Sequence, residues 1–254
     1  MSLIDTHCHL NLPEMLGDVE RHINLAREAA LSHLIVIGID LETSQIAIEL
    51  SEKWPEIYAV VGIHPQSGAR TPDQDLAVIA DLARHEKVVA IGEIGLDYYW
   101  DTTSPERQRE ILYPQLQIAR DLNLPVVFHC REAYPDLIDI LLQENVRQPL
   151  LHCFAGTAED ATRLASLDAY YGVDGPITYK KADELRAVVK SLPRDRVLIE
   201  TDSPYLTPVP FRGKPNTPAY VQYVNAALAS LWEIEREEAA AITTANAKAF
   251  FRLP

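Results

Sequence analysis

Asp5, His7 and His9 stand two residues apart in LIDTHCHL, directly after the apolar residues Leu3 and Ile4. The apolar residues open a buried strand, and side chains along a strand alternate between its faces. Residues 5, 7 and 9 are therefore expected on one face, with Thr6 and Cys8 on the other. Two imidazoles and a carboxylate at a strand end supply half of a divalent-metal site. A His-x-His pair alone is more often two hydrogen-bonded histidines, so this reading needs partners. The chain offers His64 in GIHP, Glu93 in IGEIGLDYY, His129 in PVVFHC, His152 in LHCFAG and Asp202 in ETDSP, each following an apolar run. Imidazoles and carboxylates gathered away from water are costly unless compensated, and a cation is the usual compensation. Six nitrogen and oxygen donors drawn from this set, at least two of them carboxylates, suit two divalent ions about 3.5–4 Å apart that share one carboxylate. The cysteines, Cys8, Cys130 and Cys153, each directly follow one of these histidines. Alternation turns them toward the helix layer, as small buried apolar residues rather than thiolate ligands.

The elements that must position these donors are short β-branched runs separated by helical segments. Eight strands are expected, at 3–7, 33–39, 57–63, 87–93, 125–129, 149–153, 169–173 and 196–202. Helices are expected at 19–30, 41–53, 75–85 and 182–191, and over 105–122, where Pro114 should kink or break the helix. SPERQ and TPAYV each place a hydroxyl N-cap before a proline at the first helical position. Strand and helix alternating eight times imply parallel strands and a (β/α)8 TIM barrel, a single domain over 1–254. All the candidate donors then fall at the C-terminal ends of the strands, where such barrels carry their chemistry. An open doubly wound sheet is the alternative, but no glycine-rich phosphate fingerprint follows the first strand.

Charge narrows the function further. Twenty-three basic against 37 acidic side chains leave a net charge of −14, which argues against a broad nucleic-acid coat. An enzyme that grips only a strand end remains compatible with it. Apolar stretches such as LIVIGI are too short to span a membrane, no signal peptide is expected, and three cysteines suggest no disulfide framework. The expected location is the cytoplasm, with no membrane association and no obligate protein partner.

Taken together, DTHCHL, GIHP, IGEIGLDYYWD, PVVFHCREA, LHCFAG and ETDSPYLTPVPFRGKPN resemble the TatD family of metal-dependent deoxyribonucleases, in the family order, from residue 5 to 216. The resemblance implies that His7, His9, Glu93 and Asp202 hold one divalent ion and Glu93, His129 and His152 the other, with Glu93 as the bridge. Mg, Mn, Zn and Fe are all compatible with such donors. It implies an exodeoxyribonuclease that cleaves phosphodiester bonds at DNA or short nucleic-acid ends through a metal-activated water, with Glu93 and Asp202 catalytic. Two positions depart from the pattern, Asp174 and Ala155, where serine is frequent. Around this centre, His64, Asp97, Tyr98 and Arg131 are expected to contact substrate, with Arg212 and Lys214 of PVPFRGKPN as the anion contacts after strand eight. Glu200, two before Asp202, is either a residue orienting a ligand or a hydrogen-bonded core carboxylate. The competing reading is a metal-dependent amide, ester or lactone hydrolase acting on a small molecule or on aminoacyl-tRNA. Many relatives of that kind bridge their ions with a modified lysine on strand four, where this chain has Glu93. A non-catalytic metal-bound scaffold is a third reading, disfavoured because the donor set is intact.

Replacing Cys8, Cys130 and Cys153 together by Ala should leave metal content unchanged in elemental analysis of the folded protein. Loss of metal from the folded triple variant would show that a thiolate is a ligand.

Overall fold

The computed structural model describes residues 2–254. Its strands are β1 (Leu3–Cys8), β2 (Leu31–Ile37), β3 (Ile57–Val61), β4 (Val88–Asp97), β5 (Val126–Arg131), β6 (Leu150–Leu151), β7 (Tyr170–Val173) and β8 (Val197–Ile199). Between and after them run α1 (Pro13–Leu16), α2 (Val19–Glu28), α3 (Leu41–Lys53), α4 (Gln74–Leu82), α5 (Pro105–Asp121), α6 (Tyr134–Gln143), α7 (Ala158–Ala165), α8 (Asp183–Ser191), α9 (Val221–Trp232) and α10 (Arg236–Phe251). Parallel strands alternating with helices in this order make a (β/α)8 fold. No helix among the described residues is long and apolar enough to cross a membrane.

The backbone divides into two compact units, Met1–Val36 with Tyr171–Pro254, and Ile37–Tyr170. In the first, β1 pairs in parallel with β2 and β7 with β8. Beyond the end of β8, Cys8 and Ser203 form a parallel bridge. The Asp202 N–H donates to the His7 carbonyl at 2.8 Å and the His9 N–H to the Ser203 carbonyl at 2.8 Å. All six residues of β1 are buried, as expected of a parallel strand covered on both faces. Helices α9 and α10 lie against β1 and β8.

In the second unit, β3, β4, β5 and β6 pair in parallel in that order. Ile91 of β4 faces Val126 of β5, whereas Ile94 faces Phe128, so β4 carries one extra residue at Gly92 and Glu93. A bulge of this kind bends the strand and re-aims the side chain it carries. Local chemistry starts the helices as the sequence suggests. Asp40 and Thr43 form a capping box on α3, Thr157 and Asp160 one on α7, and Ser104 accepts from the Arg107 N–H ahead of Pro105.

Three expectations need correction. Of the kink or break expected at Pro114, the break does not occur: buried Ile111, Leu112, Gln115 and Leu116 bracket the proline and α5 runs on as one helix. β4 continues four residues past Glu93, which brings Asp97 into the strand. β6 and β8 are short, so His152 and Asp202 sit in the turns that follow their strands.

Gly95 is what lets β4 continue close against β5. Its φ is +142°, it stands opposite His129, and a Cβ there would run into the His129 carbonyl oxygen. Overpacking against immobile backbone costs about 1–3 kcal/mol, so Gly95→Ala should lower the melting temperature by about 2–12 °C in a chain of this size. An unchanged melting temperature would show that β5 yields freely.

Candidate metal centre

In the first unit, β1 carries His7 to its C-terminal end and His9 just beyond. The turn after β8 brings up Asp202, whose φ of 52° lies in the left-handed region. His7 Nε2 and His9 Nε2 are 3.3 Å apart, and both face Asp202 Oδ1, at 3.7 and 3.2 Å. A single proton can serve only one of two facing imidazole nitrogens, so this convergence of lone pairs on one carboxylate oxygen fits a divalent cation. Asp5 does not join them as the alternation along β1 suggested. Fully buried, it accepts from the Thr201 N–H at 2.9 Å, the Thr201 hydroxyl at 2.6 Å and the His7 N–H at 3.3 Å. It thereby ties β1 to the chain beyond β8. Burial pushes its carboxyl well above the usual range, against the pull of these donors. Glu200 is also fully buried, 3.4 Å from the Thr6 hydroxyl. Its carboxylate fills the space that Gly172 leaves by lacking a side chain. Asp174 is buried before the short turn Gly175–Thr178.

In the second unit, Glu93 Oε1 lies 2.9 Å from His129 Nδ1, 2.6 Å from His152 Nε2 and 3.7 Å from His64 Nε2. Glu93 is 3% exposed, so its charge depends on these nitrogens or on a cation. On the far side of the same ring, His129 Nε2 meets Asp97 Oδ2 at 2.9 Å. Asp97 Oδ1 in turn accepts from the Tyr99 and Trp100 N–H groups at 3.0 and 3.2 Å. Burial lowers the proton affinity of His129, but its hydrogen bonds to Asp97 and Glu93 outweigh it and hold the imidazole above its usual pKa. For Asp97 burial works upward, yet the His129 bond and charge and the two loop amides bring it below the usual carboxylate value. His64 is depressed to about 3 by burial and by the charge of His129, so it presents a neutral ring. Its Nδ1 accepts the Gln66 N–H at 3.1 Å, and its ring lies 4.4 Å from that of His129. His64, Glu93 and His129 bring donor atoms within 4.8 Å of one another, as do His7, His9 and Asp202.

The side chains expected to contact substrate divide. Asp97 is buried and faces His129 rather than the solvent. Tyr98 turns to the protein surface, donating to Asp136 Oδ2 at 2.8 Å and accepting from Arg109 at 2.9 Å. Arg131 is exposed, with its guanidinium carbon 3.7 Å from the centre of the Tyr99 ring. Arg212 and Lys214 are exposed in the loop after β8. That loop is anchored by buried Asn216, which donates to the carbonyls of Thr201 and Tyr205 at 2.9 and 2.6 Å. Tyr205, which the sequence reading passed over, is 51% exposed with its ring 6.4 Å from that of His9. No cysteine belongs to any of the metal-competent groups found among the described residues. The Cys8 thiol donates to the Ile35 carbonyl at 3.4 Å.

Comparison with known proteins agrees with this donor chemistry. A family described as TatD related DNase matches residues 4–252. The uncharacterized metal-dependent hydrolase YabD of Bacillus subtilis is 44% identical over 253 residues, 99% of both chains. The 3'-5' ssDNA/RNA exonuclease TatD of Edwardsiella piscicida is 32% identical over 259 residues, 99% of this chain and all of its own. The crystal structure of YJJV, a TatD homolog from Escherichia coli K12, superposes with a TM-score of 0.94 at 34% identity, covering 99% of this chain and 98% of that one.

A carboxylate that fixes the far nitrogen of a ligand histidine typically contributes 10–100-fold to metal affinity or activity. Asp97→Ala should therefore weaken divalent-metal binding by about that factor in calorimetric titration, with little change in circular dichroism. Wild-type affinity in the variant would remove Asp97 from the centre.

Proposed function

The chain belongs to the TatD-related DNase family and is a metal-dependent hydrolase; we propose that its substrate is the phosphodiester backbone of DNA or a short nucleic acid, cut from a strand end. The observation that carries the reading is Glu93. One oxygen of this buried carboxylate is faced by three imidazoles, at 2.6, 2.9 and 3.7 Å. In our assignment His7, His9 and Asp202 hold one divalent ion and Glu93, His129 and His152 the second. The motif resemblance gives Glu93 to both. Bound ions of this kind supply Lewis acidity at a phosphoryl oxygen and a lowered pKa for water. The protein's own part is positional. Asp97 keeps the His129 ring turned to Glu93, and the neutral His64 ring packs on its other side. Asp202 is the acidic donor with access to solvent, its side chain 14% exposed, and we assign it the proton of an attacking water. Arg131, Arg212 and Lys214 are exposed cations on a chain of net charge −14, so attraction to a phosphate chain is local to them. The relative from Edwardsiella piscicida, named a 3'-5' ssDNA/RNA exonuclease, supports action at ends. Three free cysteines suit a reducing compartment, and we place the enzyme in the cytoplasm.

The test is product analysis on end-labelled oligonucleotides with Mg²⁺ or Mn²⁺. Stepwise loss of mononucleotides is expected, and Glu93→Ala should lower the rate by orders of magnitude while the protein stays folded. Hydrolysis of carboxylic esters with every oligonucleotide left intact would overturn the assignment, as would full activity in the Glu93 variant.

A further inference from the structure

Most large apolar side chains are buried, so the exceptions carry information. Among the described residues, the three most exposed are Trp100 at 52%, Tyr205 at 51% and Tyr99 at 48%. Tyr99 and Trp100 adjoin, directly after β4, with ring centres 4.8 Å apart and planes at 89°. The Arg131 guanidinium covers one face of Tyr99 at 3.7 Å and lies 5.7 Å from the Trp100 ring. The backbone beneath these rings is fixed. Asp97 Oδ1 holds both their amides, and the Gln66 side-chain amide donates to the Asp97 carbonyl at 3.0 Å and to the Trp100 carbonyl at 3.3 Å. Gln108 adds a donor to the Asp97 carbonyl at 2.7 Å. Rings that half face water on a rigid backbone do little for folding. At 52% and 48% exposure they leave aromatic surface accessible to a flat partner. Asp97 Oδ2, meanwhile, bonds His129, so the carboxylate that sets the aromatic pair also sets an imidazole of the metal centre.

We propose that Tyr99, Trp100 and Arg131 form a stacking platform for an unpaired nucleobase of the strand being cut. The inference rests on the reading that the substrate is nucleic acid, and it adds the side chains that would hold a base. An exposed indole, with a phenol ring set across it and a guanidinium stacked on that ring, suits a planar base on an anionic backbone. Stacking tolerates any base and makes no use of the ribose 2′-hydroxyl. It requires a base free of its pairing partner. A base in a single strand or a frayed end meets that requirement, in keeping with the relative named a 3'-5' ssDNA/RNA exonuclease.

The experiment compares hexathymidylate with the same oligonucleotide carrying abasic residues at its two terminal positions. On hexathymidylate, the double variant Tyr99→Ala, Trp100→Ala should lose about tenfold in kcat/KM, mostly through KM. On the abasic oligonucleotide, the loss should shrink to within about twofold, because stacking requires a base. Trp100→Phe should keep most of the wild-type value. An equal penalty on both oligonucleotides would overturn the platform and leave the loop structural. A second arm needs no turnover. In a Trp54→Phe, Trp232→Phe background, Trp100 is the remaining tryptophan. Its fluorescence should be quenched by hexathymidylate in EDTA, and much less by the abasic oligonucleotide. If the wild type cuts neither substrate, the nuclease reading fails while this arm still judges the platform: selective quenching supports it, and absence of quenching overturns it.

Discussion

A carboxylate removed from water must find positive charge or hydrogen-bond donors, and in the second unit two of them find the same imidazole. Glu93 takes the Nδ1 side of His129 and Asp97 the Nε2 side, each at 2.9 Å. Much of the local architecture follows from the need to bring two acids to one ring. β4 must run far enough to carry both. Gly95 must stand opposite His129, so that the strands can approach. The extra residue at Gly92 and Glu93 lets Glu93 leave the regular pleat while Ile94 and Leu96 stay buried. The helices around the sheet bury enough apolar surface to hold these acids where they would not stay alone.

The first unit solves the same problem with a different partner. Asp5 spends its two oxygens on Thr201 and the His7 amide, which makes it a clamp between β1 and the segment after β8. That segment carries Asp202 to His7 and His9. Thus one acid on β1 fixes the backbone and an acid from elsewhere faces the imidazoles. Separating these tasks leaves Asp202 as the carboxylate that faces both imidazoles.

Much of this was legible before any coordinates. Eight apolar runs in alternation with helices place every strand, and the histidines with Glu93 and Asp202 stand out by type and position. Less legible was what depends on where strands stop. Ending strand four at Glu93 put Asp97, Tyr98 and Tyr99 together in the loop, with nothing to say which ring faces water. The strand's continuation buries Asp97 and passes the exposed role to Tyr99 and Trp100. The parity of 95 and 97 held the clue, since both share a face once the strand is allowed to run on. Asp5 was misplaced for another reason. Its alternation with His7 and His9 is real, but its choice of Thr201 is a contact across 196 residues, which local periodicity cannot express.

The two oxygens of Asp97 have one more implication. Oδ2 holds an imidazole of the metal centre and Oδ1 holds the backbone of an exposed loop, so the two events share a single group and their free energies are linked. Linkage of this kind runs equally in both directions. Whatever loading the centre does to the hold of Asp97 on the loop amides, an occupant of the loop must do, by the same factor, to the affinity of the centre. The two sites are then joined through one buried side chain.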